Sequence, residues 1–383
     1  MPRQGTATMP LHRGSAPRWL FDRMVDLGEV IAEAVLREYG RAELLRRLAD
    51  PYWFQALGCV LGFDWHSSGV TTTTMGALKE ALSPADHGVV VAGGKGATSR
   101  RTPEELRAAP LGLGGNATDA LADHSRLSAT VDNACVQDSY TLYHHTMVVT
   151  EDGDWAVVQQ GMNDETARRY HWLSESVEDF VVEPQAAIAS QQRRERVLDM
   201  TAGESQAARE VAVDLVQDDP ARLKRYVRSP DQTAISDFGG GCGGRPGDGP
   251  APGAPEHGRS LHMPDHHELR LSDLTERSID QLECAYEYQP DDFAELAGLE
   301  GVGKGSLRAL ALIAELVHGA GSAREDPAKY AYAHGGKDGT PHPVKRERYD
   351  RSIESMRAIL EGAEVDGETR QSALDRLSEL VAE

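Results

Sequence analysis

The segment 238–260 constrains the fold of this chain more than any other feature. It contains nine glycines and four prolines, with few apolar side chains among them. Such a segment buries too little apolar surface to offset the conformational entropy that is lost when a chain becomes ordered. We therefore expect a flexible linker here, with separately folded parts on either side. The 383 residues of the chain are enough for about two or three domains.

The sequence on either side of this linker predicts an α+β fold. Residues 18–39 carry apolar side chains at helical spacing. Two runs rich in β-branched residues flank Glu151-Asp152-Gly153-Asp154, which indicates a β-hairpin. Residues 188–200 are interpreted as a further helix. The resulting plan has a mixed N-terminal domain with a small antiparallel β-hairpin or sheet at 1–185, a helical segment at 186–237, the linker at 238–260 and a mainly helical module at 261–383.

The overall charge restricts how this chain can bind nucleic acid. The formal net charge is −21, which argues against broad non-specific coating of DNA. Between residues 301 and 360, however, ten lysines and arginines stand against seven acidic residues. A small basic docking site is therefore compatible with the acidic whole.

The cysteines and the hydropathy pattern indicate a compartment. The four cysteines are scattered without a paired spacing, so we expect reduced thiols and no structural zinc module. The sequence contains no run of 18 apolar residues and no apolar core of a secretory signal near Met1. We therefore expect a cytoplasmic protein that does not enter a membrane.

A glycine hairpin between two helices is the most specific motif in the sequence. Residues 292–297 and 306–317 each show helical periodicity, and Leu299-Glu300-Gly301-Val302-Gly303-Lys304 joins them. This arrangement resembles the helix-hairpin-helix motif of DNA repair and recombination proteins, in which hairpin amides and the start of the second helix face a DNA phosphate. The resemblance implies a DNA contact, and an ordinary helical hairpin with a glycine turn is the alternative. The implied phosphate-binding residues are Gly301, Gly303, Lys304 and Ser306.

The hairpin also resembles that of helix-hairpin-helix DNA glycosylases, but it departs from their catalytic pattern. Their bifunctional members place a Schiff-base lysine two residues after the second hairpin glycine, where this chain has Gly305. Lys304 stands one residue early, and Ala323 lies near the position of their catalytic aspartate. These departures argue against a lyase-type glycosylase and favour a docking module.

Three polar loops supply further candidates for anion or metal binding. In the loop before residue 75, Asp64 and His66 are a candidate metal-binding or general-base pair, although its threonines could simply cap a helix. A glycine loop follows the predicted strand at 88–92, and its Lys95 and Arg100 are candidate phosphate contacts. Lys337 lies in a third glycine-rich loop. In the last two cases a solvated connector is the alternative interpretation.

Acidic and imidazole side chains cluster in sequence around the predicted β-hairpin. Carboxylates and imidazoles at strand ends are the usual ligands of Mg²⁺, Mn²⁺ or Zn²⁺. His144 and His145 point to opposite faces of a strand, so at most one of them joins a given site. The basic and aromatic run 168–172 could contact phosphate or stack on bases. The predicted catalytic residues are Asp132, Asp138, His144 and Asp152, the predicted phosphate contacts are Arg168 and Arg169, and the metal-ligand candidates are Asp64, His66 and Asp138.

Several of these stretches together resemble one prokaryotic family, catalogued only as a domain of unknown function. The resemblance covers most of the chain except the linker and the last helix, and it implies no established activity. The stretches that carry it are Pro10-Leu11-His12, Pro17-Arg18-Trp19-Leu20, Asp64-Trp65-His66-Ser67-Ser68-Gly69, Gly93-Gly94-Lys95-Gly96, Tyr143-His144-His145-Thr146, Gln159-Gln160-Gly161-Met162-Asn163, Arg168-Arg169-Tyr170-His171-Trp172 and His334-Gly335-Gly336-Lys337-Asp338-Gly339.

Taken together, the sequence predicts a DNA-binding and DNA-processing protein, with a metal-dependent nuclease of repair or recombination as the leading hypothesis. A bound Mg²⁺ or Mn²⁺ would activate water and neutralise phosphate charge. The alternatives are a non-enzymatic DNA-binding adaptor, a monofunctional DNA glycosylase, and an enzyme that acts on a nucleotide or another phosphorylated small molecule. The sequence does not fix the oligomeric state.

Overall fold

The computed structural model describes residues 18–62, 69–163, 166–190, 193–218, 276–328 and 330–331, with shorter stretches between 354 and 375. The chain divides into two compact units. Unit 1 comprises residues 1–206 and 322–383, and unit 2 comprises residues 207–321. The domain boundaries suggested by the sequence, at residues 185, 237 and 260, stay a prediction. The predicted linker at 238–260 lies outside the described residues.

Unit 1 is a mixed structure of helices and an antiparallel sheet, as the α+β prediction requires. Its helices are α1 (Arg18–Tyr39), α2 (Arg41–Ala49), α3 (Pro51–Val60), α4 (Gly69–Ala81), α5 (Pro84–His87), α6 (Thr102–Ala108) and α7 (Gly115–Thr130), and a π-helical turn (Val131–Cys135) follows α7. Its strands are β1 (Val89–Lys95), β2 (Val136–Gln137), β3 (Thr141–Thr150), β4 (Trp155–Met162), β5 (Ala167–Leu173), β6 (Ala187–Ser190), β7 (Leu198–Asp199) and β8 (Tyr330–Ala331). Short 3₁₀ turns lie at Gly96–Arg101, Ser174–Ser176 and Gly203–Ser205.

The main sheet of unit 1 has the strand order β1-β3-β4-β5-β6-β8 among the described residues. Neighbouring strands from β1 to β6 run antiparallel, and β8 lies parallel to β6. The predicted hairpin is confirmed as β3–β4, whose turn is closed by the Thr150 amide donating to the Asp154 carbonyl at 2.9 Å. Gly153 in this turn has φ of 87°, a conformation that favours glycine.

Helices α1 to α4 cover one face of the sheet and form an extensive apolar core with it. The stripe predicted on α1 is buried, with Met24, Ile31 and Val35 fully enclosed. These side chains belong to the same cluster as Val148 and Val158 of the sheet. Burying each large apolar side chain contributes about 1.5–3 kcal/mol, so this cluster holds the helical layer on the sheet.

Strands β5 and β6 of the main sheet, and β7 of the separate two-stranded sheet β2–β7, differ from what the sequence indicates. The helix predicted at 188–200 is wrong, because the structure has β6 and β7 there. Backbone pairing of β6 with β5 and of β7 with β2 outweighs the helical pattern of this segment. Strand β5 is not evident from the sequence either, because all of its side chains are buried and they show no alternation of apolar and polar residues.

Unit 2 is helical throughout its described part. Its helices are α8 (Gln206–Gln217), which begins at the last residue of unit 1, α9 (Glu276–Tyr288), α10 (Phe293–Gly298) and α11 (Lys304–His318). The Asp292 side chain caps α10 by accepting from the Glu295 amide at 2.8 Å. Helices α10 and α11 confirm the two helices predicted around the glycine hairpin. Across the described residues of both units, no helix combines the length and the apolar character that a membrane crossing requires.

Candidate functional site

Polar side chains are buried on both faces of strands β3, β4 and β5. Successive residues of a strand point to opposite faces, so neighbours such as Gln159 and Gln160 enter different environments. We call the two groups the acid network and the helix-side network. The acid network contains Ser125, Asp132, Asp138, His145, Gln159, Arg168, Tyr170, Trp172, Gln185 and Asp326. The helix-side network contains Gln55, Thr71, Gln160, Arg169 and His171.

Asp132 is the centre of the acid network. It lies in the π-helical turn and is 1% exposed. Its carboxylate accepts hydrogen bonds from Gln159 Nε2 at 2.6 Å, Trp172 Nε1 at 2.7 Å and Gln185 Nε2 at 2.7 Å. Burial raises the pKa of Asp132 to about 8, although the donors from Gln185 and Trp172 oppose this shift. The group therefore gains or loses its proton near neutral pH.

A chain of neutral side chains continues from Asp132 toward α7. Gln159 donates through its amide nitrogen, so its carbonyl oxygen accepts from His145 Nδ1 at 2.8 Å. His145 Nε2 then accepts from the Ser125 hydroxyl at 2.8 Å. Burial lowers the pKa of His145 to about 4, so this imidazole is neutral at neutral pH. The arrangement fixes the tautomer of His145 and the orientation of Gln159.

Arg168 forms a buried ion cluster with two aspartates. Its guanidinium binds Asp138 at 2.9 Å and Asp326 at 2.9 and 2.7 Å, and none of the three side chains is more than 2% exposed. Tyr170 also donates to Asp138 at 2.7 Å. Burial opposes ionisation of Asp326, but the Arg168 guanidinium holds the pKa of that carboxyl below its usual value. Arg168 lies over the ring of Tyr140, 4.7 Å from its centroid.

An acidic cavity of about 220 Å³ borders the acid network in unit 1. Gln185 and Asp326 contribute to its wall, so it touches both the Asp132 and the Arg168 clusters. The residues that line it include no lysine or arginine. A cavity with this lining repels phosphate and does not fit a DNA backbone. Its acidic lining residues are Glu183, Asp199, Glu204, Glu325 and Asp326.

The helix-side network surrounds Arg169. This fully buried guanidinium donates to Gln55 Oε1 at 3.0 Å and to His171 Nε2 at 2.9 Å, and it stacks on Phe54 with its Cζ 4.6 Å from the ring centroid. His171 in turn donates through Nδ1 to the Leu48 carbonyl at 2.9 Å. Burial and the nearby Arg169 charge lower the pKa of His171 well below its usual value. These contacts join the sheet to α2 and α3.

The structure does not bring the four predicted catalytic residues together. Asp132 and Asp138 share the acid network. His144 is buried beside Gln160 on the opposite face of the sheet, and burial lowers its pKa to about 3. Asp152 lies at the exposed tip of the β3–β4 hairpin, 3.7 Å from Arg41.

The predicted metal ligands and phosphate contacts are also separated. Within the described part of the chain, no group of three or more His, Cys, Asp or Glu side chains is arranged to hold a metal ion. Asp64, His66 and Lys337 lie outside the described residues. Arg168 and Arg169 are completely buried and hydrogen-bonded inside unit 1, so neither guanidinium reaches the protein surface.

The glycine hairpin of unit 2 has the geometry of an uncapped helix start. Gly301 has φ of 96°, and Gly303 precedes α11 with no side-chain cap. The first helical hydrogen bond runs from the Leu307 amide to the Gly303 carbonyl at 3.0 Å. Ser306 is 1% exposed and its hydroxyl donates to Gln281 at 3.2 Å, so this side chain supports the hairpin from within.

The remaining phosphate candidates lie on the surface of unit 1. Lys95 ends β1 and is exposed, and Arg100 is exposed in the 3₁₀ turn that follows. Sequence reasoning missed Gln185 and Asp326, which complete the acid network. Asp326 is 158 positions from its partner Arg168, and no local pattern connects them. The one available signal was the pair Gln159 and Gln160, since amides in a strand expected to be buried need buried partners.

One comparison with known proteins gave a match. A family model described as protein of unknown function (DUF763) matches residues 5–344. No curated protein and no solved structure matches the chain.

Proposed function

Because the chain belongs to the family of proteins of unknown function DUF763, we propose its function from its own structure: it binds the DNA backbone through helices α10 and α11 of unit 2. The start of α11 would hold a phosphate, and the sheet of unit 1 would serve as a rigid scaffold. This is the adaptor hypothesis, with no chemistry assigned to unit 1.

The observation that carries this proposal is the open, uncapped start of α11. The first amides of a helix have no partner within the helix and favour an anion. No side chain caps this helix, and a Cβ placed on Gly303 would meet nothing within 4 Å. The φ of Gly303 is −142°, which any residue can adopt. The glycine is therefore not required by its backbone angle, and its small size leaves room for a close phosphate.

The hairpin is also held firmly enough to present those amides. Gln281 of α9 accepts from Ser306 at 3.2 Å, and its side chain would lie 3.2 Å from a Cβ placed on Gly301. Leu307 and Leu310 are fully buried and fix the apolar side of α11. A binding group that is already ordered loses less entropy when its ligand arrives.

Exchanging the charge at the start of α11 tests the proposal. A cation at a helix start is unfavourable to the helix dipole and an anion is favourable, so Lys304→Glu should leave the fold intact. We expect it to weaken binding of a labelled duplex about tenfold at low salt and to lower the salt slope by about one. Fluorescence anisotropy measures both quantities, and thermal unfolding checks the fold.

A matched variant controls for the change in total charge. Arg37→Glu makes the same exchange on α1, at a side chain that is 72% exposed. We expect it to leave duplex affinity within about twofold of the wild type. Equal losses in the two variants, or no loss in Lys304→Glu, would refute binding through α11.

The nuclease and glycosylase hypotheses stay predictions. The described residues favour neither, since the predicted catalytic side chains are separated, and Tyr170 and Trp172 are fully buried rather than lining a base pocket. Incubation of labelled single-stranded, duplex and branched DNA with Mg²⁺ or Mn²⁺ tests the nuclease. Formation of abasic sites without metal tests the glycosylase.

A further inference from the structure

A turn at the end of β1 carries three exposed cations in an otherwise acidic chain. Lys95, Arg100 and Arg101 are exposed, and we call them the basic turn. None of the three forms an ion pair within the described residues, whereas nearby Lys79 binds Glu105 at 2.6 Å and Arg107 binds Asp119 at 2.6 Å. The positive charges of these three side chains are therefore available to an anionic ligand.

The backbone of the basic turn is tightly fixed. A Cβ on Gly93 would lie 2.3 Å from the His145 carbonyl oxygen and 2.4 Å from Thr102 Oγ1, so this glycine lets β1 pack closely on its surroundings. Thr102 is fully buried, and its hydroxyl donates to the Ser99 carbonyl at 2.7 Å. Ser99 likewise donates to the Gly96 carbonyl at 2.6 Å. The cations therefore project from an ordered turn.

An aromatic ring is held beside this turn by an irregularity in β3. The pairing of β3 with β4 shifts between Leu142 and His144, so Tyr143 is the extra residue of a β-bulge. Bulges re-aim a side chain away from the regular alternation. The Tyr143 ring is half-buried, and its centroid lies 6.0 Å from Lys95 Nζ.

A hydrogen bond to its hydroxyl group fixes the orientation of the Tyr143 ring. Its hydroxyl accepts a hydrogen bond from Gln160, which itself accepts one from Thr71 of α4. Gln160 and Thr71 are both buried. The phenol oxygen is thus anchored in the helix-side network, while Lys95 of the basic turn lies over the ring.

We propose that the basic turn and Tyr143 form a binding surface for single-stranded DNA. Cations that follow the backbone and an aromatic ring that stacks on an unpaired base are the combination that single strands require. Bases in a duplex are already stacked and cannot reach a ring in this way. This surface extends the proposed function, because it adds a second DNA contact in unit 1, but it does not depend on the start of α11.

The test compares two probes on the full chain, a labelled oligo(dT) and a labelled duplex. Replacing both arginines by glutamate (Arg100→Glu with Arg101→Glu) is expected to weaken oligo(dT) binding about tenfold, with a smaller effect on the duplex. Tyr143→Leu is expected to weaken oligo(dT) binding about fivefold through loss of stacking, whereas Tyr143→Phe keeps the ring and should bind within about twofold of the wild type.

The controls separate this surface from the α11 contact. Arg37→Glu with Arg126→Glu makes the same charge change at exposed side chains outside the basic turn and should leave oligo(dT) affinity unchanged. Lys304→Glu should weaken duplex binding more than oligo(dT) binding. If Lys304→Glu weakens duplex binding but the basic-turn variants leave oligo(dT) binding unchanged, the single-strand surface is overturned and the α11 contact stands. Equal losses for oligo(dT) in the control double variant, or binding of oligo(U) with none of oligo(dT), would also overturn it.

Discussion

Asp132 is a buried carboxyl group whose hydrogen-bond donors carry no charge. Three N–H groups reach it at 2.6 to 2.7 Å, and no cation is among them. Neutral donors stabilise the carboxylate less than an ion pair does, so burial prevails and the pKa rises to about 8. This residue therefore links the stability of unit 1 to pH.

The pH dependence follows from the sign of that shift. The folded-state pKa of Asp132 lies above the unfolded value of 3.8, so the folded protein holds a proton that the unfolded chain has released between these two pH values. The free energy of unfolding is therefore highest below about pH 4 and falls as pH rises toward about 8. We expect Asp132→Asn to be less stable than the wild type at low pH, because its amide nitrogen faces an N–H donor, and we expect this deficit to shrink between about pH 5 and pH 8 by up to about 1.4 kcal/mol per pH unit. Urea unfolding at several pH values measures this difference. Parallel curves for the two proteins would show that Asp132 does not titrate in this range.

Gly301 is required by its backbone conformation. Its φ is 96°, where a side chain is strained, and a Cβ would lie 3.2 Å from Gln281. We expect Gly301→Ala to destabilise unit 2 by about 1–2 kcal/mol. Thermal unfolding of the purified variant measures the loss, and an unchanged melting temperature would contradict the assigned turn.

The ion cluster of Arg168 joins separate elements of unit 1. It connects β5 to the residues after β2 through Asp138, and to the segment before β8 through Asp326. Asp326 also accepts from the backbone amides of Arg194 at 2.5 Å and Ala328 at 2.9 Å. One carboxylate thus holds three stretches of chain that are distant in sequence.

Removing the charge of Asp326 should weaken this junction. Asp326→Asn turns an NH2 group toward the N–H groups that now donate to the carboxylate, and it leaves Arg168 paired with Asp138 alone. We therefore expect the free energy of unfolding to fall by about 3 kcal/mol. The matched control is Asp152→Asn, at a side chain that is 61% exposed, which should change stability by less than about 0.5 kcal/mol. Chemical denaturation of both variants provides the measurement, and equal stabilities would contradict a structural role for the cluster.

The elements differ in how far the sequence could predict them. The β3–β4 hairpin was predictable because its turn residues Glu151-Asp152-Gly153-Asp154 specify a local conformation. Strand β5 was not, because both of its faces are buried and polar side chains find partners from distant elements. Likewise β6 exists through pairing with β5, a contact that helical periodicity in the sequence cannot reveal.

The candidate sites also differ in how far the sequence could predict them. The hairpin glycines were identified from adjacent residues, since a turn and a helix start are local features. The acid network could not be assembled, because its donors and acceptors come from α7, the π-helical turn, strands β3, β4 and β5, and the segments around Asp138, Gln185 and Asp326. Arg168 and Arg169 were predicted to contact phosphate, but both side chains are buried, where they connect elements of the core and do not reach the surface.

At the scale of the whole molecule, charge limits how DNA can be bound. A net charge of −21 repels phosphate at a distance, so each contact must come from a small local group of donors. The start of α11 and the basic turn both have this character. Few phosphates would be neutralised, and the salt dependence of binding should therefore be modest.

The central claim is tested most directly by Gly303→Ala. The added methyl group meets nothing within 4 Å and the backbone angle suits alanine, so the variant should fold, with a loss of less than about 1 kcal/mol because alanine is a poorer N-cap residue than glycine. A DNA phosphate held against the start of α11 would meet that methyl group. We predict that a duplex titration followed by fluorescence anisotropy gives about tenfold weaker binding in the folded variant. Wild-type affinity in Gly303→Ala would contradict DNA binding through this helix start.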